Sequence, residues 1–275
     1  MSNVNKDKRI IIGASSAIGY EIAKHWLDKD YCVYGTYRKK SRNIENLQNL
    51  GMLSYYCDLS SSDSIASFIK RITIEIDDWT ALTLLPATMK PLEFFDRCNF
   101  QDWKSSIEVN FINQMQIISA LLPLKKEIDK GPLLILFSAG GVNNATVNTS
   151  AYTLSKIATI KMCELIHAEL PNIRITAIGP GWVDTPIHNE TLEKGEKLGA
   201  NYFTTIKHYE ENNFVPISRI LEFIDWLEMQ SASVISGRNF SVADDPIDNS
   251  EFINELSNDV DMYKLRRHKN NFLKN

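Results

Sequence analysis

A tyrosine and a lysine four residues apart, Tyr152 and Lys156, form the pair of side chains best suited to proton transfer in this chain. Residues at positions i and i+4 lie on one face of a helix, so both side chains can reach one reacting atom. A phenol has an ordinary pKa of about 10, and a nearby ammonium is expected to lower that pKa towards the working range. Ser138 follows an apolar segment and can hold the oxygen of the reacting carbonyl or alcohol. The residue types predict reversible proton transfer during carbonyl reduction or alcohol oxidation.

The spacing alone is weak evidence, because Tyr20 and Lys24 show the same spacing. Roughly one such match is expected by chance in a chain of this size and composition, so only the surrounding elements can distinguish the two pairs.

Short apolar segments alternate with amphipathic segments along most of the chain. We expect strands at residues 9–12, 31–36, 52–57, 82–85, 133–137 and 173–178. We expect helices at residues 17–29, 41–50, 60–76, 101–128 and 150–170. This alternation predicts an α/β fold, with a doubly wound parallel sheet covered by helices on both faces.

Composition narrows the class of protein. The 275 residues are 44% hydrophobic, which favours one core and a single domain over residues 1–275. The net charge of -4 argues against a nucleic-acid surface, and no apolar stretch approaches the roughly 18 residues of a membrane span. The four cysteines are scattered without a C-x-x-C pair, so we expect reduced thiols in a cytoplasmic protein, with no metal site.

The turn between the first predicted strand and helix contains two glycines. Glycine lets the backbone approach a pyrophosphate, whose charge the N–H groups of the following helix receive. An ordinary tight turn is the alternative, but the position of this turn favours a dinucleotide site. The residues predicted to contact the cofactor here are Gly13, Ser15, Ser16, Ala17, Ile18 and Gly19.

The segment after the second predicted strand bears on the choice of cofactor. An acidic residue here would hold the ribose 2′-hydroxyl of NAD, whereas a cation suits the 2′-phosphate of NADP. No acidic residue occurs between Tyr31 and Ile44, and Arg38 is the best-placed cation. We therefore predict NADP(H) over NAD(H), with a solvated basic loop as the alternative.

With these motifs in order, residues 8–245 resemble the compact, non-extended branch of the short-chain dehydrogenase/reductase family. The glycine loop matches the family pattern with Ala17 at its middle glycine. The resemblance implies a Rossmann-type fold, an NAD(P) cofactor and a catalytic tetrad. The tetrad positions are Asn110, Ser138, Tyr152 and Lys156. Further cofactor contacts are implied at Asp58, Leu59, Ala87, Tyr152, Lys156, Pro180, Gly181, Val183 and Thr185.

The resemblance also implies a role for each member of the tetrad. Tyr152 would act as the acid in reduction and the base in oxidation, and Lys156 would lower its pKa and bind the nicotinamide ribose. Ser138 would orient the substrate oxygen, and Asn110 would hold a water. Asp58 has a simpler alternative, because it can start the turn before a capped helix.

One segment departs from the family pattern. The family's N-N-A-G motif appears here as Leu85-Pro86-Ala87-Thr88, which keeps only the alanine. In the family those asparagines stabilise the central sheet and the cofactor cleft. No proton-transfer group is changed.

The later part of the chain bears on substrate and assembly. The resemblance implies a helical lid over the substrate at residues 187–215, and residues 246–275 would form a C-terminal extension. The lid is rich in charged residues, which favours a sugar, polyol or anionic small molecule, unless those charges face only solvent. The helix at residues 150–170 is apolar around much of its circumference. In the family this helix pairs with its copy, which implies a homodimer or homotetramer.

The sequence allows two alternative functions besides a catalytically active oxidoreductase. One is a catalytically silent regulatory protein that senses NADP(H), although such proteins usually lack the tyrosine or the lysine. The other is a nucleotide-sugar epimerase or dehydratase, which would have a different glycine spacing and a larger C-terminal domain.

Overall fold

Seven parallel strands form one sheet in a computed structural model that describes residues 6–139, 141 and 143–268. The strands are β1 (Lys8–Ile12), β2 (Cys32–Tyr37), β3 (Leu53–Tyr56), β4 (Ala81–Leu84), β5 (Leu133–Phe137), β6 (Arg174–Gly179) and β7 (Asn239–Ser241). Their order across the sheet is β3-β2-β1-β4-β5-β6-β7. The predicted doubly wound sheet is confirmed, and each of the six predicted strands begins and ends within one residue of its expected bounds.

Helices connect the strands and cover both faces of the sheet. They are α1 (Ala17–Asp28), α2 (Arg42–Asn49), α3 (Ser62–Glu75), α4 (Phe100–Ile107), α5 (Asn113–Leu121), α6 (Ser150–Glu169), α7 (Asn189–Lys194), α8 (Ala200–Glu210), α9 (Ile217–Met229), α10 (Ala232–Ile235) and α11 (Ser250–Asn258). None of the helices within the described ranges is long and apolar enough to cross a membrane.

Strand β1 shows why both faces must be covered. Successive strand residues point to opposite faces of the sheet. Ile11 packs in the core beside α1, α2 and α9, whereas Ile10 and Ile12 pack in the core beside α3, α5 and α6. All three isoleucines are buried, as expected for a central parallel strand with helices on both sides.

The prediction of one continuous helix over residues 101–128 is wrong. Helix α4 passes into a π-helical turn at Glu108–Ile112 before α5 begins, and a 3-10 turn containing Pro123 follows α5. The amide of Gln114 donates to the carbonyl oxygen of Val109 at 3.3 Å within the widened turn. Proline lacks an N–H and its ring clashes with the preceding helical turn, so the helix cannot run to residue 128.

The expected C-terminal extension packs against the sheet domain as far as residue 268, and residues 269–275 lie outside the described part of the chain. The buried Arg238 guanidinium donates to the carbonyl oxygens of Leu256, Asp259 and Met262 at the end of α11. Nearby, Arg266 forms an ion pair with Glu164 on α6, with a nitrogen–oxygen distance of 2.7 Å. These contacts attach the extension to both β7 and α6.

Candidate active site

Three of the predicted catalytic residues meet where β5 ends and α6 begins. Ser138 directly follows the last residue of β5, and Tyr152 and Lys156 lie one turn apart in the first half of α6. The Lys156 Nζ donates to the carbonyl oxygen of Phe137 at 2.8 Å and lies 5.6 Å from the centroid of the Tyr152 ring. Ser138 and Lys156 are buried. The structure therefore brings this predicted trio together.

The pKa of Tyr152 differs from the sequence-based prediction. Burial of the phenol, together with the negative charge of Glu190, raises the pKa of Tyr152 to about 12. Burial also lowers the pKa of Lys156 to about 8, because no carboxylate compensates for its desolvation. The prediction that Lys156 lowers the phenol pKa is therefore wrong for this arrangement, and the phenol is protonated at neutral pH.

The Ser138 hydroxyl has a fixed partner that the sequence did not reveal. Its Oγ donates to the Oδ1 of Asn239 at 2.5 Å, from the strand next to β6. Asn239 is the first residue of β7, a strand of three residues that the apolar segments of the sequence did not predict. Because this hydroxyl gives its one proton to Asn239, its oxygen can accept further hydrogen bonds but must turn away from Asn239 to donate one.

Asn110 lies in the π-helical turn and is fully buried. Its Oδ1 accepts from the backbone N–H of Thr88, and its Nδ2 donates to the carbonyl oxygen of Thr88, both at 2.9 Å. The Nδ2 also lies 3.3 Å from the Oγ of Ser106. Both amide donors are thus engaged in positioning the segment after β4.

Gln114 supports the same segment and was missed by sequence reasoning. Its Nε2 donates to the carbonyl oxygen of Pro86 at 2.7 Å. Gln114 follows Asn110 by four residues, so helical spacing could have pointed to it. Two amide side chains therefore hold residues 86–88, where the chain departs from the family pattern, and Ala87 lies half-buried between them.

The glycine loop fits a pyrophosphate. Gly13 has a φ of +93°, which favours glycine, and its N–H donates to the Thr36 hydroxyl at 2.9 Å. Ser16 caps α1 by accepting from the N–H of Gly19 at 3.0 Å. The N–H groups of Ala17 and Ile18 belong to the first helical turn, which leaves them without intrahelical acceptors. No acidic residue lies in this turn, so the positive end of α1 is open to an anion.

The adenine side of the expected cofactor site begins after β2. Arg38 directly follows β2, is exposed, and forms no ion pair within the described residues. Asp58 follows β3, and its Oδ1 accepts from both the N–H and the hydroxyl of Ser60 at 2.9 and 2.8 Å. Asp58 therefore also stabilises the turn before α3, which the sequence analysis gave as the alternative to a cofactor contact. Leu59 is buried, and its carbonyl oxygen accepts from the Nδ2 of Asn113.

The segment after β6 connects the sheet to residues 187–215. The ring of Trp182 stacks between His188 and His208, with centroid distances of 4.8 and 4.2 Å. The carbonyl oxygen of Trp182 also accepts from the N–H of Val215 at 2.6 Å. This packing holds the ends of residues 187–215 beside the remaining predicted cofactor residues, which are Pro180, Gly181, Val183 and Thr185.

Three features together define a dinucleotide-dependent oxidoreductase. They are the order of the strands in the sheet, the glycine loop, and the cluster of Ser138, Tyr152 and Lys156. The chain belongs to the short chain dehydrogenase family, whose model matches residues 8–196. It is an NAD(P)-dependent oxidoreductase of that family.

Several known proteins are similar to this chain. An uncharacterized oxidoreductase of Staphylococcus epidermidis is 25% identical over 203 residues, which cover 72% of this chain and 86% of the relative. A 3-amino-tetrahydro-pyrrolizinone reductase of Xenorhabdus hominickii is 22% identical over 239 residues, covering 84% and 78% of the two chains. The solved structure of an actinorhodin polyketide ketoreductase with NADPH superimposes with a TM-score of 0.75 at 18% identity, covering 88% of this chain and 97% of that one. The last of these shows the fold alone.

Proposed function

We propose that the protein transfers hydride reversibly between NADP(H) and a carbonyl or secondary alcohol. The observation that carries this proposal is the placement of the half-buried Tyr152 phenol beside Ser138 and Lys156, with the Lys156 Nζ 5.6 Å from the centroid of its ring. A protonated phenol can donate to the oxygen of a carbonyl as that oxygen becomes an alkoxide. NADPH would supply the hydride to the carbonyl carbon.

In this proposal each side chain has one task. Tyr152 is the general acid in reduction and the base in oxidation. Ser138 turns its hydroxyl from Asn239 to the substrate oxygen and donates to it, while Lys156 binds the nicotinamide ribose and offers a positive charge to the phenolate left after proton transfer. The side chain of Asn110 is occupied in positioning Thr88. The water that Asn110 was predicted to hold would therefore have to bind the backbone carbonyl of Asn110.

We also propose a preference for NADP(H), with Arg38 binding the 2′-phosphate. The support is its position directly after β2, together with the absence of any ion pair to it in the described residues. A planar guanidinium binds a phosphate through two parallel hydrogen bonds. The similar polyketide ketoreductase was solved with NADPH, which agrees with this choice.

For the substrate we propose a polar small molecule, such as a sugar or polyol, beneath a lid at residues 187–215. Most lysines of the lid region have acidic partners on the surface, so they do not mark an anion site. The ion pairs are Lys90–Glu193 at 3.6 Å, Lys194–Glu93 at 4.0 Å and Lys207–Glu211 at 3.8 Å. These charges therefore face solvent, as the alternative interpretation of the sequence expected. Substrate specificity would then depend on groups nearer Tyr152.

We further propose that the whole chain acts as one domain in the cytoplasm, as a homodimer or homotetramer. Leu154 and Leu165 on α6 are 48% and 46% exposed, and Phe100 and Ile112 beside them on α4 and the π-helical turn are 65% and 51% exposed. An apolar surface of this kind is typical of an interface.

A carbonyl screen with NADPH tests the enzymatic function. Net NADPH oxidation is expected with at least one member of a panel of ketones, aldehydes and ketoses. A regulatory sensor would bind NADPH without consuming it, and an epimerase would show no net consumption. Either result would contradict the proposal.

Arg38→Ala tests the cofactor preference, with Lys40→Ala as the matched control on the same loop. Loss of the charged contact should raise the Kd for NADPH about tenfold or more and leave the Kd for NADH unchanged. Fluorescence titration measures both constants. Tighter binding of NADH than NADPH by the unaltered protein would reverse the assignment.

A further inference from the structure

Glu190 reaches from the lid to the segment that follows β4. It is the second residue of α7, and its Oε2 accepts from the N–H groups of Met89 and Lys90 at 2.7 and 3.1 Å. Its Oε1 accepts from the hydroxyl of Thr88 at 3.2 Å. One carboxylate therefore ties the lid to three consecutive residues beside the active site.

This attachment continues into the core of the site. The backbone N–H and carbonyl of Thr88 are both held by Asn110, so Asn110, Thr88 and Glu190 form one hydrogen-bonded chain. Thr88 stands where the family pattern has a glycine, which would offer no hydroxyl to the carboxylate. The departure from the family pattern at residue 88 thus supplies the hydroxyl that Glu190 accepts from.

Among the described residues no cation pairs with Glu190, whereas its neighbour on the same helix, Glu193, pairs with Lys90. The charge of Glu190 raises the pKa of Tyr152, which places it within electrostatic range of the reacting hydroxyl.

One oxygen of this carboxylate is free to accept a further donor. The Oε2 accepts from two backbone N–H groups, but Oε1 receives only the Thr88 hydroxyl in the described structure. A carboxylate oxygen has two lone pairs, so Oε1 can take one more hydrogen bond.

We propose that Glu190 is a specificity-determining residue that latches the lid onto residues 88–90 and offers Oε1 to a hydroxyl or ammonium group of the substrate. The site then takes hydroxyl- or amino-bearing carbonyl compounds and rejects anionic ones. A donor forms a charge-assisted hydrogen bond with the carboxylate, whereas a second carboxylate is repelled by it. This inference rests on the proposed carbonyl-reducing function. It excludes the anionic small molecules that the sequence analysis allowed as substrates.

Amide hydrogen exchange, resolved to single residues, tests the latch without any substrate. In Glu190→Ala, the amide of Met89 loses its acceptor and should exchange about tenfold faster or more, as expected for opening of a local contact. The amide of Lys90 keeps the Thr88 Oγ at 3.2 Å as a second acceptor, so its exchange should change less. The amide of Thr88 should stay protected, because Asn110 still accepts from it. Glu193→Ala, one turn along the same helix, should leave all three rates unchanged. Unchanged exchange at Met89 in Glu190→Ala would overturn the latch.

Equilibrium binding tests the specificity. Three benzaldehydes with different groups at position 4 are titrated by calorimetry into the enzyme saturated with NADP⁺, where reduction cannot occur. The groups are carboxylate, hydroxymethyl and carboxamide, of which the last two can donate a hydrogen bond. The carboxylate compound should bind about tenfold more weakly than the other two, the effect of one charge at close range. Glu190→Gln should abolish that difference, and Glu193→Gln should preserve it.

The outcomes separate the two proposals. Equal or tighter binding of the carboxylate compound by the unaltered enzyme would overturn the specificity, and so would a difference that survives Glu190→Gln. Failure of all three compounds to bind would overturn it as well. The proposed function fails on a different observation, which is the absence of NADPH oxidation across the carbonyl screen.

Discussion

Replacing Gly19 with alanine should weaken cofactor binding while leaving the fold intact. A Cβ placed at Gly19 lies 2.2 Å from the carbonyl oxygen of Gly13 and 2.7 Å from the Oγ of Ser16. Optimal separations between nonbonded heavy atoms are roughly 3.5 Å, so the loop must move away from α1 by about 1 Å. The two displaced atoms are also hydrogen-bonded to each other, at 2.9 Å.

The expected size of the effect follows from this overlap. Overpacking by one methyl group costs about 1–3 kcal/mol. The free protein can relieve this strain by shifting the loop, and binding of the pyrophosphate must reverse the shift, so the cost appears in the affinity. Each 1.4 kcal/mol corresponds to a factor of ten, so the Kd for NADPH should rise by about five- to a hundredfold.

Fluorescence titration of NADPH measures the Kd, and Ala17→Gly is the matched control in the same turn. That change removes a methyl group at the position of the family's middle glycine, so the affinity should be kept or improved. A Gly19→Ala protein that binds NADPH within twofold of the unaltered protein would refute the loop as the pyrophosphate site.

Two further predictions concern stability and assembly. Pairing with Arg266 lowers the pKa of Glu164 from its ordinary 4.5 to about 2, so the stabilisation is present above pH 4.5 and is lost as the pH falls towards 2. The Arg266 side chain is 36% exposed, so solvent weakens this ion pair. Arg266→Ala should therefore reduce the free energy of unfolding by only about 1 kcal/mol at pH 7 and by less at pH 3. Urea titrations measure both values, and equal losses at the two pH values would contradict an ionic origin. Light scattering at micromolar concentration should give the mass of a dimer or tetramer, and Leu154→Asp should shift it towards the monomer; a monomeric mass for the unaltered protein would contradict the proposed interface.

The fold could be predicted from local patterns. Strands such as Leu133–Phe137 are continuous apolar segments because they are buried on both faces, and the segments between them have helical periodicity. The helix at residues 101–128 was predicted wrongly because it contains a π-helical turn, in which Gln114 bonds the carbonyl oxygen of Val109. Hydrophobic periodicity carries no signal for that bond.

The proton-transfer site could be predicted in part. Tyr152 and Lys156 are local on one helix, and their neighbour Ser138 follows a recognisable strand. The partners that set the properties of these residues are distant in sequence. Glu190 acts on Tyr152 from α7, and Asn239 holds Ser138 from β7. The pKa of the phenol could not be inferred from the Tyr–Lys spacing, because burial and Glu190 raise it.

Tyr152→Phe tests the central assignment most directly, with Tyr20→Phe as the matched control from the second Tyr-x-x-x-Lys pair. Tyr20 packs against the core on α1, and Lys24 pairs with Asp28, so that pair belongs to the surface of another helix. Tyr152→Phe removes one hydroxyl and keeps the packing of the ring. The kcat for carbonyl reduction should fall by about 10²–10⁴-fold or more, with the Kd for NADPH nearly unchanged and Tyr20→Phe fully active. A Tyr152→Phe enzyme that retains most of its kcat would contradict the account.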